Sequence, residues 1–188
     1  ELVPMKNVPL EAQSFVTGKP AEGYELTAIE LAEETVPVAA RQELLDAIDA
    51  LTTDSPLNIG GATEDVTGYV RLKKLTGVEN TLPTEIGVTA RISEKQTECT
   101  LRRLPIQTDG LADHLTASLS TASTTAQLTG GYTFINALDA SSVHLFVDVS
   151  GLEEGVYTLP VQIHIDNAPE FTCALSSPEV TVTLQAKP

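Results

Sequence analysis

The sequence predicts a mainly β chain made of two tandem small β-rich domains, each with one short helix, forming an elongated rod. Three observations predict it. Apolar and polar residues alternate at a period of two along several stretches, as in strands that bury one face and wet the other. A set of short patterns recurs in the same order roughly 90–96 residues apart. Thr is abundant, at 24 of 188 residues, while aromatics are 4% and Trp is absent; Thr and Val enrichment favours strands.

The elements follow in chain order. The first copy opens on Met5-Lys6-Asn7-Val8-Pro9-Leu10 and the second on Leu101-Arg102-Arg103-Leu104-Pro105-Ile106, both apolar, polar, polar, apolar, Pro, apolar. Arg41 to Leu51 then breaks the period. Leu44, Leu45, Ile48 and Leu51 fall on one stripe, with Gln42, Glu43, Asp46 and Asp49 off it, which predicts an amphipathic helix of about three turns. Phe134, Ile135 and Leu138 repeat that stripe after Gly130-Gly131. Leu57-x-Ile59-x-Gly61 matches Val147-x-Val149-x-Gly151. Ile86, Val88, Ala90 and Ile92 alternate with polar or small residues, as do Leu159, Val161, Ile163 and Ile165, and Val180, Val182 and Leu184. Such half-buried strands imply antiparallel sheet.

The expected domains are residues 1–94 and 95–188. Each is small but within the range that folds alone. Between them, Ser93 to Thr100 has no Pro, no Gly and no Ser run, so it is read as strand running into strand rather than as a floppy tether.

Charge narrows the partners. Twenty-six Asp and Glu face 11 Lys and Arg, for a formal net charge of −15. The first copy carries 16 acids and 7 bases, the second 10 and 4, so neither conceals a basic excess. A field of that sign repels phosphate backbones and anionic lipid, and nucleic acid is not expected as a partner. No run reaches 18 apolar residues, so membrane insertion by this segment is not expected either. Residue 1 is Glu; the expectation is a fragment or processed form whose upstream signal or anchor is missing.

The candidates for chemistry are few. His164 and Asp166, two apart on one strand face, could supply two metal ligands, with His144 and Asp148 near in sequence. Zinc wants three or four ligands, and the simpler reading is four solvent-face residues on half-buried strands. The acidic pairs Glu33-Glu34, Glu64-Asp65 and Glu153-Glu154 lack the D-x-D-x-D spacing that Ca²⁺ loops favour. They read as solvated charge rather than as a glycosidase pair. Gly60-Gly61 and Gly130-Gly131 read as turns, not phosphate-binding loops. No nucleophile elbow or H-E-x-x-H occurs. Catalytic residues, cofactor and metal are all expected to be none, and the chain is not expected to be an enzyme. Cys99 and Cys173 could form one bridge; two separate thiols are the favoured reading.

Asp148-Val149-Ser150-Gly151-Leu152-Glu153-Glu154-Gly155-Val156-Tyr157-Thr158-Leu159-Pro160-Val161 resembles the turn of the YbbR-like domain family, D-[LV]-S-G-L followed by G-x-Y-x-[LV]-P-V. Ser177 to Leu184 is similar to that family's closing strand, and Leu44-Leu45-Asp46-Ala47-Ile48-Asp49 to its helix. Val8-Pro9-Leu10 and Leu104-Pro105-Ile106 resemble its V-P-[VI] strand. In copy one the turn departs from the pattern, with Ala62, Asp65 and Thr67 where the family has Leu, Gly and Tyr.

The resemblance implies repeats held outside the cytoplasm by an N-terminal helix, mainly in Gram-positive bacteria, that modulate a membrane diadenylate cyclase and hence cyclic-di-AMP. The implied partner is that cyclase or another membrane or cell-surface protein. It implies no catalytic residues. The family is similar in fold to the C-terminal domain of the long form of a bacterial ribosomal protein, but the acidic charge argues against RNA binding here. The alternative is a cell-surface spacer or adhesin stalk.

Overall fold

A computed structural model describes residues 3–81 and 83–188. The chain divides into two compact units, Glu1–Lys95 and Gln96–Pro188. Both are mainly β.

In the first unit, β1 (Met5–Pro9) is followed by a short 3₁₀ helix (Ala12–Phe15) and β2 (Val16–Thr17). Then come β3 (Tyr24–Leu31), β4 (Thr35–Ala40), α1 (Gln42–Ala47), β5 (Leu57–Asn58), β6 (Val66–Arg71), β7 (Val78–Thr81) and β8 (Glu85–Glu94). The sheet orders are β1-β4-β7 and β3-β8-β6, with β2 and β5 forming a parallel pair. Val36, Val38 and Ala40 from β4 meet Ile86 and Val88 from β8 in the core, under Phe15, which is fully buried. Ala90 and Ile92 continue that inward row with Ile59.

The second unit starts with a single 14-residue strand, β9 (Gln96–Asp109). Next are β10 (Leu115–Leu119), β11 (Ser123–Gly131), α2 (Tyr132–Ala137), β12 (Val143–Asp148), β13 (Gly155–Pro160), β14 (Gln162–Ile165), β15 (Thr172–Leu175) and β16 (Glu179–Ala186). The sheet orders are β14-β12-β9-β11-β15 and β10-β16-β13. Ala126, Leu128, Val147 and Val182 are fully buried between them. With β1 and the short β2 standing where the second unit has the single strand β9, the two units share one succession: opening strand, strand, strand, helix, a strand parallel to β2 or β9, turn and closing strands.

Several sequence expectations need correction. The helix over Arg41–Leu51 is only six residues, Gln42–Ala47. Ile48 is already extended, and Leu51 bridges Leu10 in parallel. The apolar stripe is real, and Lys6 caps the helix end. Its ammonium donates to the carbonyls of Leu45 at 2.8 Å and Ile48 at 3.1 Å, neutralising helix-end acceptors and their partial negative charge.

Leu159 to Ile165 is not one strand. Pro160 closes β13 and Gln162 opens β14 in the other sheet, with the Val161 amide donating to Pro178 O at 2.8 Å between them. Period two survives because both strands face the same core. Nor is all pairing antiparallel: β9 runs parallel to β12 over Ile106–Asp109, as β2 does to β5. Gly130-Gly131 is not a turn but the end of β11 and the N-cap of α2. A Cβ on Gly130 would lie 3.3 Å from the Phe134 ring, so a small residue there lets the helix lie against the strand.

The opening strands also match in a different register. With the two helices 90 residues apart, Val36 corresponds to Ala126. Their partners are Val8 and Leu101, so Val8 corresponds to Leu101, not to Leu104. Pro9 and Pro105 are both exposed, so the similar Val-Pro-Leu and Leu-Pro-Ile patterns do not mark one position.

Candidate functional site

The residues of the recurrent turn build a matched structural device in each unit. In the second unit, Asp148 ends β12 and its Oδ1 accepts the Ser150 amide at 2.9 Å, an Asx turn. Gly151 follows with φ 71°, open space around its Cα, and Leu152 N donating to Val149 O at 3.3 Å. Val149 is buried, and its amide donates to Asp109 O at 2.9 Å. Gly110, with φ 72°, lies against Ser150, where a Cβ would come within 2.9 Å of the Ser150 Cβ and 3.0 Å of its Cα. Tyr157 lays its ring over Gly155 and donates its hydroxyl to Glu153 O at 3.2 Å.

The first unit builds the same device from other residues. Asn58 Oδ1 accepts the Gly60 amide at 2.9 Å, Gly61 has φ 74°, and Ile59 N donates to Thr17 O at 2.9 Å. Gly18, with φ 91°, takes the place of Gly110, its Cα facing the Asn58 side chain and the Gly60 backbone. Beyond the turn the register slips. Val66 pairs with Ala90, and Gly155 with Leu184. Ala90 and Leu184 correspond through the closing strands, so Val66 corresponds to Gly155 and Gly68 to Tyr157. Asp65 and Thr67 therefore do not stand at the Gly and Tyr positions. The first turn is one residue longer, and Leu57 approaches Gly68 where the second unit places an aromatic ring at the corresponding position.

Asp65 in that longer turn has a definite task. It accepts the Ile92 amide at 2.8 Å and pairs with Arg91 Nη1 at 2.6 Å. Arg91 simultaneously holds both oxygens of Glu30, at 2.9 and 2.8 Å. The hydrogen bonds from Arg91 hold the Glu30 and Asp65 carboxyls below their ordinary range and raise the guanidinium above its own. Asp148 is likewise held low, first by the Ser150 hydroxyl and then by its amide. These carboxylates serve as local structural acceptors.

The metal candidates do not converge. His164 Nε2 and Asp166 Oδ1 are 2.9 Å apart but 62% and 79% exposed. His144 pairs across the strands with His164, while Asp148 is engaged in its turn. Among the described residues no three His, Cys, Asp or Glu side chains come together in a metal-holding group.

The cysteines are separate thiols. Cys99 on β9 and Cys173 on β15 both pair with Leu128 of β11. Two strand spacings, roughly 10 Å, exceed the Cα separation a disulfide spans. Burial pushes the Cys173 thiol up.

Two of the grooves are open to solvent. One, about 340 Å³, is lined by Ala12, Gln13, Leu26, Thr27, Ala28 and Ile29. Another, about 240 Å³, lies between exposed Tyr69, Gly87 and Glu30. Among the described residues no helix is long and apolar enough to cross a membrane. The partner glycines Gly18 and Gly110, the Arg91 cluster and the left-handed Arg103 were not singled out by the sequence reading. The repeat itself held a signal for the first pair, since Thr17-Gly18 and Asp109-Gly110 lie 92 residues apart.

The sequence profile of the YbbR-like protein family matches residues 8–90. The chain is 24% identical over 189 residues to the CdaA regulatory protein CdaR of Bacillus subtilis (strain 168), covering 98% of this chain and 38% of that protein. The chain thus spans well under half of that relative's length. Among solved structures, it is similar to a YbbR-like domain from Listeria monocytogenes, with 16% identity, a TM-score of 0.45, and coverage of 48% of this chain and 95% of that one. A YbbR-like protein from Streptococcus pneumoniae is 13% identical, with a TM-score of 0.33 and coverage of 100% and 97%. The matched residues 8–90 lie within the first unit, which is thus the part of the chain similar to the YbbR-like family.

Proposed function

We propose that this YbbR-like chain is the non-catalytic, extracytoplasmic part of a membrane-anchored protein that modulates a membrane diadenylate cyclase, and so cyclic-di-AMP synthesis, by protein contact. The observation that carries this is the 24% identity sustained over 98% of the chain with a protein named for regulating CdaA. Residues 1–94 and 95–188 act as two YbbR-like repeats; the shared succession of elements and the matched turns support assigning the second unit with the first. The side chains support contact rather than catalysis, since the turn carboxylates accept hydrogen bonds within their own units. The acidic surface disfavours nucleic acid.

The test uses the full-length parent protein with its own genome's diadenylate cyclase in a host lacking cyclic-di-AMP. Nucleotide is measured by mass spectrometry with and without residues 1–188, the anchor being kept in both. The expected result is a changed level on deletion. A level indifferent to these residues and to the whole protein overturns the reading.

A further inference from the structure

The second unit is acidic, yet its cations gather at one irregularity. Residues 96–188 hold three Lys and Arg: Arg102, Arg103 and Lys187. Lys187 donates to Asp113 O at 2.6 Å. Arg102 and Arg103 are exposed, and among the described residues neither guanidinium makes a hydrogen bond or ion pair.

They form a β-bulge. Leu101 pairs with Ala126 and Leu104 with Thr124, so both arginines stand opposite the single residue Thr125. Arg103 has φ 58°, a left-handed conformation that favours Gly or Asn over a long side chain. A bulge re-aims side chains away from the regular pleat.

The surroundings are unlike the rest of the chain. Residues 114–138, which include β11 opposite the bulge, contain no Asp or Glu, and neither do residues 171–178. The loop beyond β15 is tied to the same place: the Ser176 amide donates to Thr125 O at 2.9 Å and the Ser177 amide to Thr124 Oγ1 at 3.0 Å. On β9 the nearest acids are Glu98 and Asp109, and Gln127 already donates to Glu98 at 2.9 Å. Two free guanidiniums thus stand in a neutral Ser/Thr field.

We propose that the Arg102–Arg103 bulge is the docking point for a short acidic, carboxylate-bearing segment of a partner protein. Guanidinium forks bind carboxylates bidentately, and the flanking hydroxyls offer further donors. An anionic membrane is disfavoured because a planar surface meets the acidic field of the whole chain, whereas a single strand-like segment meets only charges within about 8 Å. The proposal rests on the reading of the chain as a protein-contact module, but its test does not involve the cyclase, so the two can fail separately.

The experiment uses residues 1–188 and a labelled twelve-residue peptide of alternating Glu and Ser, with a Gln/Ser peptide as control, followed by fluorescence anisotropy at several salt concentrations. Binding of the Glu peptide is expected, weakening with salt, with none for the Gln peptide. The R102Q/R103G double variant should bind at least about tenfold more weakly, from loss of two charge-assisted contacts. R103G suits the left-handed backbone, so its melting temperature should not fall. R71Q, which removes a cation already paired with Glu85 in the first unit, should leave binding unchanged. Absence of Glu-peptide binding, equal binding by the double variant, or Arg-dependent binding of phosphatidylglycerol vesicles in place of the peptide would each overturn the proposal.

Discussion

The two turns, Asn58–Ala62 and Asp148–Leu152, solve one problem with different chemistry. Each follows a strand in a parallel pair, β5 with β2 and β12 with β9, sets a left-handed glycine in open space, and buries the apolar residue two positions before it. One caps its turn with a neutral amide, the other with a carboxylate. One continues to Gly68 over Leu57, the other to Tyr157 over Gly155. Close backbone approach and left-handed φ are shared by both turns, whereas capping charge and the packing beyond differ between them.

That contrast can be broken most severely at its close approaches. Gly110→Ala and Gly18→Ala put a Cβ into the neighbouring turn and into a left-handed residue at once. Each should cost about 3 kcal/mol in urea denaturation. Gly151→Ala and Gly61→Ala share the positive φ but meet open space, so each should cost only about 1 kcal/mol. Equal losses at all four positions would mean that φ alone matters.

Acid should then separate the two turns. The folded Asp148 carboxyl is held below its ordinary value, so its contribution is present above the unfolded pKa, about 3.9, and is lost as pH falls through the folded one. Asn58 has no such term. Asp148→Asn should flatten the acid limb of the melting curve while keeping the turn. Asp65→Asn should also flatten it, through Arg91, and should lower the melting temperature slightly because the ion pair is exposed. The smallest effect is expected at the cysteines. Gel mobility should be the same with and without reductant, and denaturant should expose two free thiols.

Much of the fold was legible because period two and the recurring anchors are written in buried positions. Ile86 and Val88, and Val180 and Val182, read as inward rows and pack as such. Register was less legible. Val8 was matched to Leu104 because exposed prolines mimic each other, and the Arg102–Arg103 bulge has no apolar signature. The helix looked longer than it is because its apolar stripe runs on through Ile48, already extended, and Leu51, which bridges Leu10; both are buried outside the helix. The turn motif was visible in one stretch, whereas its tertiary partners Gly18 and Gly110 were marked only by their recurrence 92 residues apart, since long-range contacts leave no local period. Asp65 likewise looked like a degenerate motif position when it is the acceptor of the Arg91 cluster.

The central proposal is that the folded surface of residues 1–188, rather than their length, modulates a diadenylate cyclase. The most direct measurement replaces residues 1–188 in the full-length parent with an unrelated β-rich spacer of equal length and reads cyclic-di-AMP beside the native and deleted forms. The account predicts that the spacer gives the level of the deletion. A spacer that restores the native level would contradict it and make these two units a stalk.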